Sequence, residues 1–382
     1  MAPSIITFGA GSARAFGFAV AKKIISGGLW TWGQNNLGQL GLVNTIYYSS
    51  PKQVGTSTNW SSISGGAVSF HATALKTDGT LWTWGRNNYG QLGFGNTAAY
   101  SSPKQVGVST TWSSIINGGY HTLAIKTDGT LWSWGLNNCG QLGFGNRTNY
   151  SSPKQVGSLT NWLRITAGYY HTIALKTDGT LWTWGKNRLG QLGLGNITYY
   201  SSPKQVGNST DWSSINSGTN HTLAIKTDGT LWTWGFNGSG QLGLNTAGLY
   251  SSYSSPVQVG ALTNWSKVSV SDFSVAIKTD GTLWSWGNNL DGQLGLGNRT
   301  YYSSPKQVGA LTNWSNIIAC WRHDIALKTN GTLWTWGFNN YGQLGLGTSG
   351  IGSYYSSPKQ IGSLTTWSNI SGGYSFTIGI HT

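Results

Sequence analysis

The chain has 382 residues, a formal net charge of +14 and only 8% charged residues. Its 57 Gly and 22 Trp favour many short strands and tight turns packed by large rings. No apolar run approaches the 20 or so residues of a membrane span, and the only two Cys, Cys139 and Cys320, lie too far apart for a zinc motif or a disulfide framework.

Residues 1–26 form an apolar, Gly/Ala-rich segment that matches none of the repeats that follow. It has no secretory signal pattern, which predicts a cytoplasmic or virion location. The run 9–17 resembles leaders of bacteriophage tail and fibre proteins. Two readings stay open: an arm that packs on its own chain, or an arm inserted into a neighbouring protein. The side chains available for insertion are Ile5, Ile6, Phe8, Arg14, Phe16 and Phe18.

From residue 27 onward one unit of about 50 residues is repeated seven times. Each copy contains L-W-[TS]-W-G, then G-Q-L-G, then S-S-P-x-Q-[VI]-G, and a third Trp nine residues after the Pro. The repeat accounts for 21 of the 22 Trp, and Trp321 is the exception. Repeats of this length predict a solenoid or a propeller rather than a single compact core.

Each unit is predicted to consist of short strands. In Leu81–Gly85 the two Trp fall on one face of a strand, because side chains alternate. Asp78-Gly79 and its equivalents predict type I′ hairpin turns, and the repeat Pro predicts an edge strand. The repeat Trp are expected to be core residues, since copies arranged radially bury them against the next copy.

The two ends of the repeat region are complementary. The last copy stops at residue 382, where the next Asp-Gly turn would begin, and the first copy starts just after such a turn. We therefore expect residues 374–381 to pair with residues 29–33 and to close the ring. The predicted fold is an all-β, seven-bladed β-propeller over residues 27–382, with residues 1–26 as an N-terminal arm.

The run H-T-x-A-[IL]-K-T-D-G-T-L-W-[TS]-W-G-x-N-x-x-G-Q-L-G-x-G, intact at residues 121–145 and 171–195, resembles the RCC1 family (regulator of chromosome condensation). The resemblance covers residues 27–382 and implies a seven-bladed propeller of RCC1-type repeats. Kelch repeats share the period but not the motif. The family includes a nucleotide exchange factor for a small GTPase that docks on chromatin, and a plant ultraviolet-B receptor.

This sequence lacks features on which nucleotide exchange and photoreception depend in the family. The largest insertions between repeats are about three residues long, near 251–253 and 350–353, so the long loop that reaches the GTPase has no counterpart. Trp321-Arg322-His323 is similar to one unit of the photoreceptor, but the equivalent positions in other repeats hold no Trp. These observations argue against a GTPase partner and against photoreception.

No constellation predicts catalysis, a cofactor or a metal. The repeat His occupy a position that holds Phe in two copies, which indicates packing. The G-Q-L-G segments lack the Gly-Lys-[Ser/Thr] of a phosphate loop, and the Asp outside the turns form no pair. Twelve of the 23 basic residues are copies of two repeat positions, and this even spacing argues against nucleic-acid binding.

Departures from the repeat are the candidates for partner contacts, because repeated residues serve the ring. Besides the N-terminal side chains they are Arg164, Lys186, Arg188, Trp321 and Arg322. The function predicted is a non-enzymatic structural or interaction protein, displayed on a virion surface or fibre through residues 1–26. The alternatives are a cellular protein-interaction propeller and, less favoured, an exchange factor or chromatin-binding homologue.

Overall fold

The computed structural model describes residues 26–248 and 251–382, and it arranges them in seven four-stranded antiparallel sheets. Each sheet is one blade of a ring around a central channel. The seven-bladed, all-β prediction is therefore confirmed. Within the described ranges, no helix has the length and apolar character needed to cross a membrane.

The strands follow one another in a fixed order. The first fourteen are β1 (Gly28–Gly33), β2 (Tyr48–Gln53), β3 (Trp60–Ser64), β4 (His71–Lys76), β5 (Leu81–Gly85), β6 (Tyr100–Gln105), β7 (Trp112–Asn117), β8 (His121–Lys126), β9 (Leu131–Gly135), β10 (Tyr150–Gln155), β11 (Trp162–Ala167), β12 (His171–Lys176), β13 (Leu181–Gly185) and β14 (Tyr200–Gln205). The remaining fourteen are β15 (Trp212–Ser217), β16 (His221–Lys226), β17 (Leu231–Phe236), β18 (Ser252–Gln258), β19 (Trp265–Val270), β20 (Phe273–Lys278), β21 (Leu283–Gly287), β22 (Tyr302–Gln307), β23 (Trp314–Ala319), β24 (His323–Lys328), β25 (Leu333–Phe338), β26 (Tyr354–Gln360), β27 (Trp367–Gly372) and β28 (Phe376–His381).

Blades 1 to 6 each use four consecutive strands, starting with β3–β6 as blade 1 and ending with β23–β26 as blade 6. Blade 7 combines both ends of the ring in the order β27-β28-β1-β2. Its β1 and β28 are antiparallel and in register from Gly28 opposite His381 to Gly33 opposite Phe376. The predicted closure is confirmed, and the last strand begins at Phe376, two residues later than expected.

The apolar core lies between blades rather than at one centre. Trp84 of β5 is fully buried, and its Nε1–H donates to the backbone carbonyl of Gln39, in the G-Q-L-G loop of the preceding blade, at 2.9 Å. The same bond recurs at 2.9–3.0 Å for five further Trp: Trp134, Trp184, Trp234, Trp286 and Trp336. The two most regular motifs of the repeat are thus the two halves of one contact between blades.

The three Trp of each repeat differ in burial, which corrects part of the sequence interpretation. The second Trp of L-W-x-W-G is fully buried, and the third Trp of the unit is 3–5% exposed. The first Trp is only partly buried. In blade 3 this residue is Trp182, whose ring lies 3.8 Å below the Lys176 Nζ and whose Nε1–H donates to Thr180 Oγ1. One Trp per repeat therefore covers the core from outside.

The Asp-Gly turns are not of type I′, contrary to the prediction. Gly79 has a φ of 77°, whereas none of the turn Asp residues has a positive φ. The Gly79 N–H donates to the Lys76 carbonyl at 3.0 Å, and the Lys76 N–H donates to the Thr80 carbonyl at 3.1 Å. This is a three-residue hairpin loop with Gly in the left-handed region. Asp78 acts as acceptor for the N–H and the hydroxyl of Thr80.

The ring has two different faces. The Asp-Gly turns between the second and third strands of each blade define the hairpin face. The opposite loop face carries the G-Q-L-G loops and the turns between the first and second strands, such as 65–70 in blade 1. The outermost strands carry the repeat Pro, as predicted for edge strands.

Candidate functional site

The repeat His lie inside the junctions between blades. His71, His121, His171, His221 and His323 are at most 1% exposed. Burial lowers the pKa of each from 6.5 to about 3, so the rings are neutral at physiological pH. Among the residues that the structure describes, no group of three metal-ligating side chains comes together.

Two repeats replace this His by Phe, and the facing residue changes too. Phe376 of blade 7 packs in one core cluster with Ala72 of blade 1, at the position where blades 2 to 5 and blade 7 present Thr or Ser. Phe273 holds the His position in blade 5, and Asp324 holds in blade 6 the position that accepts the His ring of the preceding blade at other junctions, as Thr122 does for His71. Asp324 is fully buried, and neither of its carboxylate oxygens has a hydrogen-bond partner in the described structure. The His position is a packing position, as the Phe substitutions indicated.

The predicted partner-contact residues fall into three groups. Ile5, Ile6, Phe8, Arg14, Phe16 and Phe18 lie outside the described residues. Arg164 lies on the innermost strand of blade 3, opposite Leu175 and towards the hairpin face. Lys186, Arg188, Trp321 and Arg322 all lie on the loop face, after β13 or between β23 and β24. The structure thus gathers four of the described candidates on one face and separates the fifth.

Trp321 is fixed in a stack rather than displayed. Its ring lies parallel to that of Tyr374 in blade 7, with centroids 3.8 Å apart and an interplanar angle of 16°. The Arg322 guanidinium lies 4.2 Å from the Trp321 centroid and also forms a 3.2 Å ion pair with Asp291 of blade 5. Trp321 therefore joins neighbouring blades.

The stack continues around the channel mouth. Tyr374 also stacks on Phe70 of blade 1, with centroids 4.5 Å apart. The Arg86 guanidinium lies 5.7 Å from the Phe70 centroid and 4.9 Å from that of Tyr120 in blade 2. The Tyr120 hydroxyl in turn accepts a 2.9 Å hydrogen bond from Tyr169 of blade 3.

We call this set the aromatic arc. It spans five blades, from blade 6 through blade 7 to blade 3. Its members are Trp321, Tyr374, Phe70, Tyr120, Tyr169 and Tyr170. Arg322, Arg86 and Lys186 each lie over one or more of its rings.

The arc ends in a polar gap at blades 4 and 5. Thr219 and Asn220 occupy the equivalent positions of blade 4, and Ser271 and Asp272 those of blade 5. Burial raises the pKa of Asp272, and its Thr219 and Arg322 neighbours offset part of that rise. The gap therefore holds one carboxyl group beside an arc that is otherwise aromatic and cationic.

The arc suits recognition of a partner surface. Tyr, Trp and Arg are the residues enriched at the energetic centres of protein interfaces. Tyr and Trp bury a large area with few rotatable bonds. Burial raises the pKa of Tyr169, Tyr170 and Tyr374, so their hydroxyls stay protonated and can donate hydrogen bonds. Sequence reasoning found Trp321 and Arg322 but missed the other rings. Their signal was variability: the two-residue combination before the repeat His or Phe is different in each of the seven copies.

Comparison with solved structures gives the same fold. Prp20p from Saccharomyces cerevisiae superposes with a TM-score of 0.83 at 21% identity, covering 93% of this chain and 92% of that one. Human WBSCR16 superposes with a TM-score of 0.81 at 20% identity, covering 93% and 98%. At this identity the likeness establishes architecture alone.

Relatives found by sequence match shorter stretches. Human protein RCC2 is 37% identical over 81 residues, which is 21% of this chain and 16% of that protein. The ultraviolet-B receptor UVR8 of Arabidopsis thaliana is 41% identical over 83 residues, 21% of this chain and 18% of that protein. The aligned segments thus span less than a fifth of these relatives' own length.

The family model matches almost the whole described ring. The regulator of chromosome condensation (RCC1) repeat is found seven times, at residues 26–73, 78–125, 128–175, 178–225, 228–277, 280–327 and 330–380. The second to seventh matches begin at the Asp-Gly or Asn-Gly turn of a blade, and every match runs through the third, outermost and innermost strands into the second strand of the following blade. The chain belongs to the RCC1 repeat family.

Proposed function

We propose that this protein is a non-enzymatic interaction propeller that binds a protein partner across its loop face, with the aromatic arc at the centre of the contact. The observation that carries the proposal is the continuous stack from Arg322 through Trp321, Tyr374, Phe70 and Arg86 to Tyr120. Such a stack is rigid before binding, so little side-chain entropy is lost when a partner docks.

The charge of this face indicates an acidic partner. Lys186 and Arg86 lie over rings of the arc, and Arg188, on the same face of the propeller, is exposed. Asp291, by contrast, is already paired with Arg322. Complementary charge would steer association and set its salt dependence.

Members of the family are mainly interaction or exchange-factor proteins. The solved structure of Prp20p describes its binding to Gsp1p and histones, and another describes Prp20 bound to Kap60. A GTPase is thus one candidate for the acidic partner, although the sequence shows no long loop of the kind that reaches it.

The finer version of the proposal adds residues 1–26 as an attachment arm that joins the propeller to a larger assembly such as a virion surface or fibre. Its support is the sequence of that segment: it is apolar, it is additional to a ring already closed by β1 and β28, and it resembles phage fibre leaders.

Site-specific photo-crosslinking in the organism of origin tests the loop-face proposal. A crosslinking amino acid at Arg188 probes the loop face, and one at Val108, which is 91% exposed, probes the opposite side. We expect a discrete adduct from position 188 alone, lost when Arg86→Ala and Tyr120→Ala are added. Adducts of equal yield from both positions, or an adduct that survives the arc substitutions, would refute the proposal.

A nucleotide-release assay tells whether the protein partner is a small GTPase, as an exchange factor would require. Purified small GTPases loaded with a fluorescent nucleotide are mixed with the full chain. Accelerated release that disappears with Arg86→Ala and Tyr120→Ala would identify the partner class as a GTPase. Unchanged release with a positive crosslink would identify a different protein partner.

A further inference from the structure

A cavity of about 480 Å³ opens between blades 2 and 3, at the outer edge of their junction. Its walls come from the outermost strand of blade 2, from the link that follows this strand, and from the third and outermost strands of blade 3. We call it the junction pocket. Small-molecule sites have volumes of roughly 300–1,000 Å³ and mostly apolar walls with a few placed polar groups, so this cavity has the size of such a site.

The walls of the junction pocket are largely apolar. Val156 and Trp162 line it as parts of the core, at 3% and 4% exposed. Phe144 and Trp182 are partly buried and pack against that core from outside. Leu159, at the rim, is 46% exposed. An apolar group that enters the pocket therefore leaves water for contact with side chains that packing already holds in place.

The cavity recurs between blades 3 and 4, at about 490 Å³, with a different chemistry. There Ser209 stands at the position of Leu159. Lys226 also lines this second cavity, and its Nζ already donates to Ser209 Oγ at 2.9 Å and pairs with Asp211 at 3.3 Å. The cation of the second cavity is therefore neutralised by the fold, and its rim is polar.

The junction pocket combines two apolar side chains that no other repeat combines. Its loop position holds Phe144 and its rim position Leu159. The one other repeat with Phe in the loop, at Phe94, has Ser109 at the rim, and the other repeats with Leu at the rim have Leu in the loop. Repeated residues serve the ring, so this departure from the repeat is a candidate for a contact with something other than the ring.

An ammonium group stands at the edge of the junction pocket. The Lys154 Nζ lies 5.0 Å from the Phe144 centroid and 4.2 Å from the Tyr150 centroid. Its contact with the Tyr150 hydroxyl lowers the pKa of that hydroxyl, and an ammonium group has three donors, so others stay available. Lys154 is exposed, and within residues 26–248 and 251–382 no carboxylate pairs with it.

Apolar walls with an ammonium group at the edge define a ligand of two parts. We infer that the junction pocket binds a small apolar carboxylate, whose ring or chain lies against Phe144, Leu159 and Trp182 and whose carboxylate meets Lys154. This site is separate from the aromatic arc. None of its lining residues belongs to the arc, and it lies between outermost strands rather than at the channel mouth.

The repeat supplies variants that the fold already accepts. Leu159→Ser installs the residue of the second cavity, Ser209, and Lys154→Val installs the residue that blade 4 holds at this position, Val257. Lys104→Val makes the same change on the outermost strand of blade 1 and is the matched control. Thermal melts of all three variants are expected to match that of the unmodified chain.

Ligand-detected NMR titration of the full chain with naphthylacetate and with octanoate measures binding, and the two corresponding amides lack the negative charge. We expect saturable binding of at least one carboxylate. Lys154→Val should weaken the binding of that carboxylate by about fivefold, the upper end for an exposed ion pair, and leave the binding of its amide unchanged. Leu159→Ser should weaken carboxylate and amide alike, because it removes apolar contact. Lys104→Val should bind both as the unmodified chain does.

The two carboxylates also distinguish the apolar part of the ligand. Binding of naphthylacetate alone would assign an aromatic ligand, and binding of octanoate alone an aliphatic one. The inference would be overturned if neither carboxylate showed saturable binding, or if Lys104→Val weakened binding as much as Lys154→Val. Binding that Leu159→Ser leaves unchanged would also overturn it, since the ligand would then lie elsewhere.

Discussion

The Nε2 atom of His71 in blade 1 lies 2.8 Å from the Oγ1 atom of Thr122 in blade 2. The same bond between blades joins His221 to Ser274 at 2.9 Å and His323 to Thr377 at 3.1 Å. A neutral imidazole satisfies this contact, whereas an imidazolium would be a buried charge without a counter-ion. The junctions between blades are therefore sensitive to acid.

Acid unfolding is the first prediction. The five buried His have pKa values of about 3 when folded and about 6.5 when unfolded. Between these values the unfolded chain binds more protons, so stability is full above pH 6.5 and falls as the pH drops towards 3. Each pH unit costs up to about 1.4 kcal/mol per His. Urea unfolding at pH 7.5, 6 and 5 should show a steadily lower midpoint; a constant midpoint would contradict the assignment.

The chain offers a matched variant for this pH dependence. His71→Phe together with Thr122→Ala copies the Phe376 and Ala72 pair that joins blade 7 to blade 1. We expect this double variant to lose less stability between pH 7.5 and 5 than the unmodified chain. Thr122→Ala alone keeps the buried imidazole and should keep the full dependence.

Asp324 is predicted to make the protein less stable as the pH rises, the opposite of the effect of the buried His. Burial raises its pKa well above the ordinary value, so the folded state holds a proton that the unfolded state releases. Stability from this site is therefore present below about pH 4 and is lost as the pH rises towards the folded pKa. Asp324→Thr restores the residue of blades 2 to 4 and should raise the unfolding midpoint at pH 8 more than at pH 4. A midpoint lowered at both values would show that the carboxyl has an unrecognised partner.

The two Trp of one strand should differ in energetic weight. Trp184 is fully buried and bonded to the Gln141 carbonyl, whereas Trp182 is partly exposed beneath Lys176. Trp184→Ala should cost about 3–5 kcal/mol of unfolding free energy, as for large aromatic deletions in cores, and Trp182→Ala less than half of that. Chemical denaturation of both variants measures the difference, and equal losses would contradict the burial argument.

The regular repetition explains why most of the fold could be predicted from the sequence alone. Seven copies of the Trp and G-Q-L-G motifs specify the blade count, the strand order and the closure, because each copy must bury the same face. The turn type was wrong, since Asp-Gly suits two hairpin geometries and only the backbone distinguishes them. The aromatic arc was missed because Phe70, Tyr120 and Tyr374 come from different repeats and meet only at the channel mouth.

The last prediction separates the closing strand from the N-terminal arm. Deleting residues 374–382 removes β28, leaves β27 without a partner strand and β1 paired with β2 alone, and should abolish cooperative unfolding. A chain beginning at Gly27 keeps the 3.2 Å bond from the Gly27 N–H to the Trp60 carbonyl and should melt as the longer chain does.

If residues 1–26 are an attachment arm, burying its several apolar side chains in a partner gains roughly 1.5–3 kcal/mol each before ordering costs. The shortened chain should then sediment as a free propeller in extracts of the organism of origin, while the full chain sediments with its assembly. A shortened chain that unfolds would assign residues 1–26 to the propeller itself and remove the support for attachment.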